Sequence, residues 1–161
     1  MKITVKTPNI TQYHIEFPHG HEMHHRCMWA TVNIDHDRCT MTATSDCGNY
    51  AYRGYPGEGG TFTQLMKQIS GEYLLRKIAR EDVFDFEGSK QAVIDEAIEH
   101  CPENVIDLEQ MEDCGEEMFL RCVNDLTDWP YDEIPMVKDY PGWAETFVEV
   151  FTKYVQPLLE G

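Results

Sequence analysis

Two runs that alternate apolar with polar residues, joined by four residues of turn chemistry, constrain this chain more than anything else in it. In residues 28–34, Met28, Ala30, Val32 and Ile34 fall on one side and Trp29, Thr31 and Asn33 on the other. Asp35-His36-Asp37-Arg38 interrupts the pattern, and residues 39–45 resume it with Cys39, Met41 and Ala43 opposite Thr40, Thr42 and Thr44. A repeat of two fits a strand, whose successive side chains point to opposite faces, and the short polar break makes the pair an antiparallel hairpin. The row of threonines predicts an outer face in water. Residues 3–5 and 13–17 alternate in the same way upstream, and residues 50–53 follow a second turn at Asp46-Cys47-Gly48-Asn49. The first half therefore predicts an antiparallel β-meander.

Past residue 60 the period changes to that of a helix. Thr61-Phe62-Thr63-Gln64 has the form of a capping box, and Phe62, Leu65, Met66 and Ile69 share one helical face that Ser70-Gly71 ends. Tyr73, Leu74, Leu75 and Ile78 predict a second helix. A third is expected from about Ser89, with Val93, Ile94, Ala97, Ile98 and Cys101 inward. A fourth is expected over 104–126, burying Val105, Leu108, Met111, Met118, Phe119, Cys122 and Leu126, with Gly115 as the point where it splits or kinks. The last runs from Trp143 to about Gln156, with Trp143, Phe147, Phe151, Tyr154 and Leu158 on its apolar side and Pro157 ending it. Strands first and helices after predict an α+β fold: the N-terminal antiparallel β-meander packed against a C-terminal set of about five helices. No repeat or linker interrupts the 161 residues, which read as one domain, 1–161.

The charge is divided more sharply than the pattern. The chain carries a net −16. Residues 1–80 hold 9 Lys+Arg against 7 Asp+Glu, whereas residues 81–161 hold 4 against 22, a net of −18. A field of that sign repels nucleic acid and anionic membranes and attracts basic protein surfaces. With 42 % hydrophobic residues and apolar stripes running through the same segments, the acidic half predicts a folded scaffold and not a disordered tail. No apolar run reaches the ~18–20 residues that span a bilayer. The start of the chain is too short and polar for a secretory signal. Six cysteines without a CxxC suit reduced thiols. A cytoplasmic protein is expected.

Three segments invite a chemical reading. His21-Glu22-Met23-His24-His25 spells H-E-x-x-H, which binds zinc when a helix puts the two outer histidines on one face with the glutamate beside the bound water. Pro18 and Gly20 precede it and a strand begins by residue 28, so a polar loop is the first expectation. His21 and His25 are nonetheless the candidate metal ligands. The glycine-rich stretch 54–61 leads into a helix but lacks the Gly-Lys-Ser/Thr of a phosphate-binding loop, and Glu58 would oppose an anion. No nucleophile elbow or triad stands out, and no cofactor is expected. The acidic segment is the third. Asp107, Glu109, Glu112, Asp113, Glu116 and Glu117 lie largely off the expected apolar stripe, with Asp95, Glu96 and Glu99 before them. Such a face either only solubilises the chain or docks onto a basic partner, imitating a phosphate backbone. Trp129 and Tyr131, in the proline-rich loop 129–141, are the candidate apolar anchors.

Ser45-Asp46-Cys47-Gly48-Asn49-Tyr50-Ala51-Tyr52, the helix over 62–69 and Tyr73-Leu74-Leu75-Arg76-Lys77-Ile78 carry a resemblance. Over Trp29 to Ile78, about a third of the chain, it resembles a family of proteins encoded by bacteriophages and prophages. Arg53-Gly54 stand where that pattern has a tryptophan. The resemblance implies a phage origin and, by extension, action on host defence, as an anti-CRISPR or anti-restriction protein. The expectation is thus a non-enzymatic protein of the host cytoplasm. It would inhibit a host nucleic-acid-binding defence protein through its acidic helical surface, with no direct contact to nucleic acid or membrane. The alternatives are a metal-dependent hydrolase on the histidine-rich loop and a structural phage component.

Overall fold

The computed structural model describes residues 3, 5 and 7–160, and the fold is α+β. Four strands, β1 (Ile10–Glu16), β2 (Trp29–Asp35), β3 (Thr40–Ser45) and β4 (Gly48–Arg53), form an antiparallel sheet in the order β1-β2-β3-β4. The register pairs Tyr13 with Val32, Val32 with Ala43 and Ala43 with Tyr50, so one apolar column crosses all four strands. A shift of one residue would turn the whole column into water, which is why the hydrophobic pattern fixes the register. Of the strand expected over 3–5, Thr4 lies outside the described residues, and Ile3 and Val5 are exposed and in no strand.

The turns are built from side chains. Asp35, buried, accepts at Oδ1 from the amides of Asp37 and Arg38, both at 3.0 Å, and so closes the β2–β3 turn. Met28 and Cys39, expected on the inner face, are not in the strands: Met28 is half-exposed and Cys39 takes a left-handed φ of 51° in the turn. Gly48 opens β4 at φ 128°, a conformation that favours glycine.

The chain divides into two compact units, where the sequence reading treats it as one domain: residues 1–80 with 141–161, and residues 81–140. In the first, α1 (Phe62–Gln68), α2 (Gly71–Ile78) and α6 (Gly142–Val150) pack on the sheet. The capping box is present: the Gln64 amide donates to Thr61 Oγ1 at 3.2 Å, and the Thr61 amide to Gln64 Oε1 at 3.0 Å. Ala30, Val32, Ile34, Met41, Ala43, Tyr50 and Tyr52 from the sheet meet Phe62, Met66, Leu74, Phe147 and Phe151 from the helices. The Tyr50 and Phe147 rings stack at 4.5 Å. Beyond α6 the helix loosens into a π turn, Phe151–Val155, and a 3-10 turn, Gln156–Leu158, which let Leu159 bury. Trp143 and Leu158, expected inward, are each 59 % exposed.

The second unit holds α3 (Phe86–His100), α4 (Val105–Glu109), α5 (Glu116–Thr127) and a two-residue ladder of β5 (Val83–Phe84) with β6 (Lys138–Asp139). Its own core gathers Phe86, Val93, Ala97, Leu108, Phe119, Val123 and Ile134, with Phe119 edge-on to Phe86 at 5.8 Å. The start of α3 lies three residues before Ser89, because Asp85 caps it by accepting from the Gly88 amide at 3.0 Å. Ile98, expected inward, is 57 % exposed. The helix expected over 104–126 is two helices. Residues 110–115 form no helix, Gly115 is extended at the N-cap of α5, and Lys90 of α3 donates to the freed Met111 carbonyl at 2.8 Å.

Candidate functional site

Residues 81–140, the second unit, contain 19 Asp+Glu and only 3 Lys+Arg, a net of −16. The remaining residues balance to zero, so the formal charge of the whole chain resides on this one unit. The concentration persists because the unit has an apolar core of its own to fold around. Burying Phe119 alone is worth about 1.5–3 kcal/mol, against a few tenths lost per like-charge pair.

The structure places all six carboxylates of the predicted patch in this unit and leaves all six exposed. Asp107 and Glu109 lie on α4, Glu112 and Asp113 in the loop after it, and Glu116 and Glu117 in the first turn of α5. The break at 110–115 corrects the expected helical stacking: Glu109/Asp113, Glu112/Glu116 and Asp113/Glu117 straddle it and are not i,i+4 neighbours on one helix. Only Asp95/Glu99, within α3, keeps that spacing among the four pairs. Glu116 and Glu117 instead sit where the amide ends of α5 favour negative charge. Glu116 also meets Lys138 at 3.3 Å, both about half-exposed.

Apolar groups stand among these charges. Ile106 is 63 % and Met118 53 % exposed, and a shallow cavity of about 470 Å³ is lined by Gly115, Glu116, Glu117, Met118 and Arg121. Tyr131 is 56 % exposed. Trp129 is half-buried against the unit's core, its carbonyl accepting from Asn124 Nδ2 at 2.7 Å. Of the two expected anchors, Tyr131 is thus the one that presents its ring to water. The sequence predicts Met118 and Phe119 in the core; Phe119 is buried there, and the exposure of Met118 follows from the break, which starts α5 afresh with Phe119 and Val123 inward.

The histidine-rich segment lies in the first unit, between β1 and β2, and forms successive turns and no helix. His21 and His25 have different surroundings. The His21 ring faces Phe17 at 4.9 Å and Tyr154 at 5.8 Å, and its Nδ1 accepts from the Met23 amide at 3.1 Å. The His25 ring lies against His24 at 5.5 Å and His19 at 6.2 Å. Without a helix, nothing holds the two imidazoles on one face as the zinc chemistry requires.

Among the described residues, the group whose ligand atoms do converge is Cys27, Asp46 and Cys47, all within 4.8 Å of one another. Nothing in the sequence signals it: the cysteines are twenty residues apart, and the β2–β3 hairpin brings them together. The Cys27 and Cys47 sulfurs are 3.2 Å apart, and Ser45 Oγ is 3.2 Å from the Cys47 sulfur. The hydrogen-bonded contact with Cys27, and secondarily that with Ser45, lowers the Cys47 thiol to about 7 against the cost of burial. The same contact, with burial, pushes Cys27 up. Desolvation opposes ionisation of Asp46, but the amides of Met28 and Trp29 and the Cys27 thiol outweigh it and hold the carboxyl below its usual range.

No described helix is long and apolar enough to cross a membrane. The model of a phage family, Phage_phiTE_072, matches residues 2–161. No curated protein and no solved structure matches the chain.

Proposed function

The chain belongs to this phage family, and from that premise we propose that it is a binding protein whose acidic unit, residues 81–140, docks onto a basic surface of a host protein that otherwise holds nucleic acid. One observation carries the reading. The entire net charge of −16 lies on one compact unit with its own core, while the rest of the chain is neutral. A protein made acidic only for solubility has no reason to segregate its charge in this way. Segregation concentrates the field, which steers a basic partner and excludes nucleic acid from the same surface.

Asp107, Glu109, Glu112, Asp113, Glu116 and Glu117 supply the charge, and Ile106, Met118 and Tyr131 supply exposed apolar area beside it in the chain. An interface needs both, since rim charges govern encounter and register while buried apolar anchors slow dissociation. Occupying a nucleic-acid site is inhibition, and in a phage protein the fitting targets are host defence enzymes that grip DNA or RNA.

The test is capture of host nucleic-acid-binding enzymes on the immobilised full-length chain, washed at about 0.05 M and about 0.5 M salt. A retained enzyme should be released by high salt, displaced by its own nucleic acid, and lost when Glu112, Asp113, Glu116 and Glu117 are all changed to lysine. Retention that ignores salt and survives the four reversals would overturn the proposal.

A further inference from the structure

The close pair of buried sulfurs belongs to the unit of residues 1–80 and 141–161, and the role of the acidic unit makes no use of it. We propose that Cys27 and Cys47 form a reversible dithiol–disulfide couple, oxidised by low-molecular-weight disulfides, that ties the end of the histidine-rich loop to the β3–β4 turn. Cys27 is fully buried and Cys47 is 6 % exposed. Both backbones are fixed. The Cys27 amide donates to the Met23 carbonyl at 2.8 Å, and the Tyr50 hydroxyl donates to the Cys47 carbonyl at 2.6 Å. The 3.2 Å separation of the sulfurs is therefore imposed by the fold, and closing it to the roughly 2.05 Å of a disulfide needs about 1.1 Å of travel.

The chemistry is divided between the two sulfurs. Cys47, in the two-residue β3–β4 turn, is the more accessible, and its sulfur lies 3.2 Å from both the Cys27 sulfur and Ser45 Oγ. The Cys47 thiolate attacks one sulfur of a disulfide RSSR; the S–S bond breaks, one RS⁻ leaves and takes a proton from water, and a mixed disulfide remains on Cys47. The Cys27 thiol then attacks the Cys47 sulfur, giving up its proton to solvent as it does so. The Cys27–Cys47 bond forms, the second RS⁻ leaves, and it takes a proton from solvent. Two protein thiols are oxidised by two electrons, and one RSSR becomes two RSH.

A zinc ion fits the same residues less well. Two thiolates on a tetrahedral zinc stand roughly 3.8 Å apart, given Zn–S bonds of about 2.3 Å, and here the sulfurs are already closer than that. Both Asp46 oxygens are also engaged, Oδ2 by the Met28 amide at 2.7 Å and Oδ1 by that of Trp29 at 3.5 Å.

The experiment uses the full chain, reduced, freed of any tag and exposed to oxidised glutathione. Two of the six thiols should disappear, with a mass loss of about 2 Da and full reversal by dithiothreitol. Proteolysis after arginine should yield a cross-linked pair of fragments, 27–38 and 39–53. Because the second fragment holds both Cys39 and Cys47, fragment-ion sequencing must place the bridge on Cys47. Cys27→Ser should stop at the mixed disulfide on Cys47. A bridge mapped to Cys39, Cys101, Cys114 or Cys122 would overturn the proposal. So would a wild-type chain that halts at the mixed disulfide, or one that carries stoichiometric zinc and loses it on Cys47→Ser. None of these readouts depends on a binding partner.

Discussion

The hydroxyl of Ser89 and the backbone of Val137 satisfy each other twice: the Val137 amide donates to Ser89 Oγ at 2.8 Å, and Ser89 Oγ donates to the Val137 carbonyl at 3.3 Å. Ser89 is fully buried on α3, and Val137 immediately precedes β6, so one small side chain fixes the returning strand across 48 residues of sequence. Replacing it with alanine removes the Val137 amide's partner, whereas the Val137 carbonyl keeps the Asp85 amide at 3.1 Å. Ser89→Ala should destabilise residues 81–140 by about 0.5–1.5 kcal/mol, measured by urea denaturation.

Separate cores predict separate responses. Phe119→Ala empties the core of residues 81–140 and Phe147→Ala that of the other unit, each at about 3–5 kcal/mol. Hydrogen exchange followed by mass spectrometry should show the first variant accelerating exchange mainly within 81–140. The second should accelerate it mainly within 1–80 and 141–161.

Glu149 bridges Lys153, through Oε1 at 2.6 Å, and Arg26, through Oε2 at 2.6 Å. The Lys153 hydrogen bond, followed by that of Arg26, holds its carboxyl below 4.5 in spite of burial. A depressed carboxylate contributes stability above its unfolded pKa and loses it as pH falls through the folded one. Glu149→Gln should therefore cost about 1 kcal/mol or less at neutral pH, since Arg26 is half-exposed. Thermal melts of the two proteins should converge as pH falls through the depressed folded pKa of Glu149.

The carboxylates of the proposed interface differ in what they do for the fold. Glu117, in the first turn of α5, should cost about 0.3–1 kcal/mol when changed to glutamine. Glu112 and Asp113, in the preceding loop, should stay within about 0.5 kcal/mol of wild type when changed to glutamine and asparagine. If those two loop variants weaken partner capture at unchanged melting temperature, binding and stability are separated.

How much of this was legible in the sequence depended on the range of the interaction responsible. The meander, its inner and outer faces and the Thr61–Gln64 capping box follow from residues at most a few positions apart, and the structure has them. So does the charge division: the 81–140 segment is acidic in any conformation. Strand ends moved by a residue or two because Asp35 and Gly48 settle the turns.

The rest was decided at longer range. The helix expected over 104–126 is locally plausible, but Lys90 stabilises the carbonyl that its break frees, and this contact joins residues 21 positions apart. The return of α6 to the sheet, which leaves residues 81–140 as a unit with a separate core, is invisible to periodicity, since a stripe says that a face is buried and not against what. The same limit applies to side-chain chemistry. His21 and His25 have metal-ligand spacing and no helix to converge on, whereas Cys27 and Cys47 have no motif and meet at 3.2 Å. Sequence by itself set which residues prefer which face and where the charge would be. Tertiary packing, through backbone direction after each turn, set which side chains reach one another.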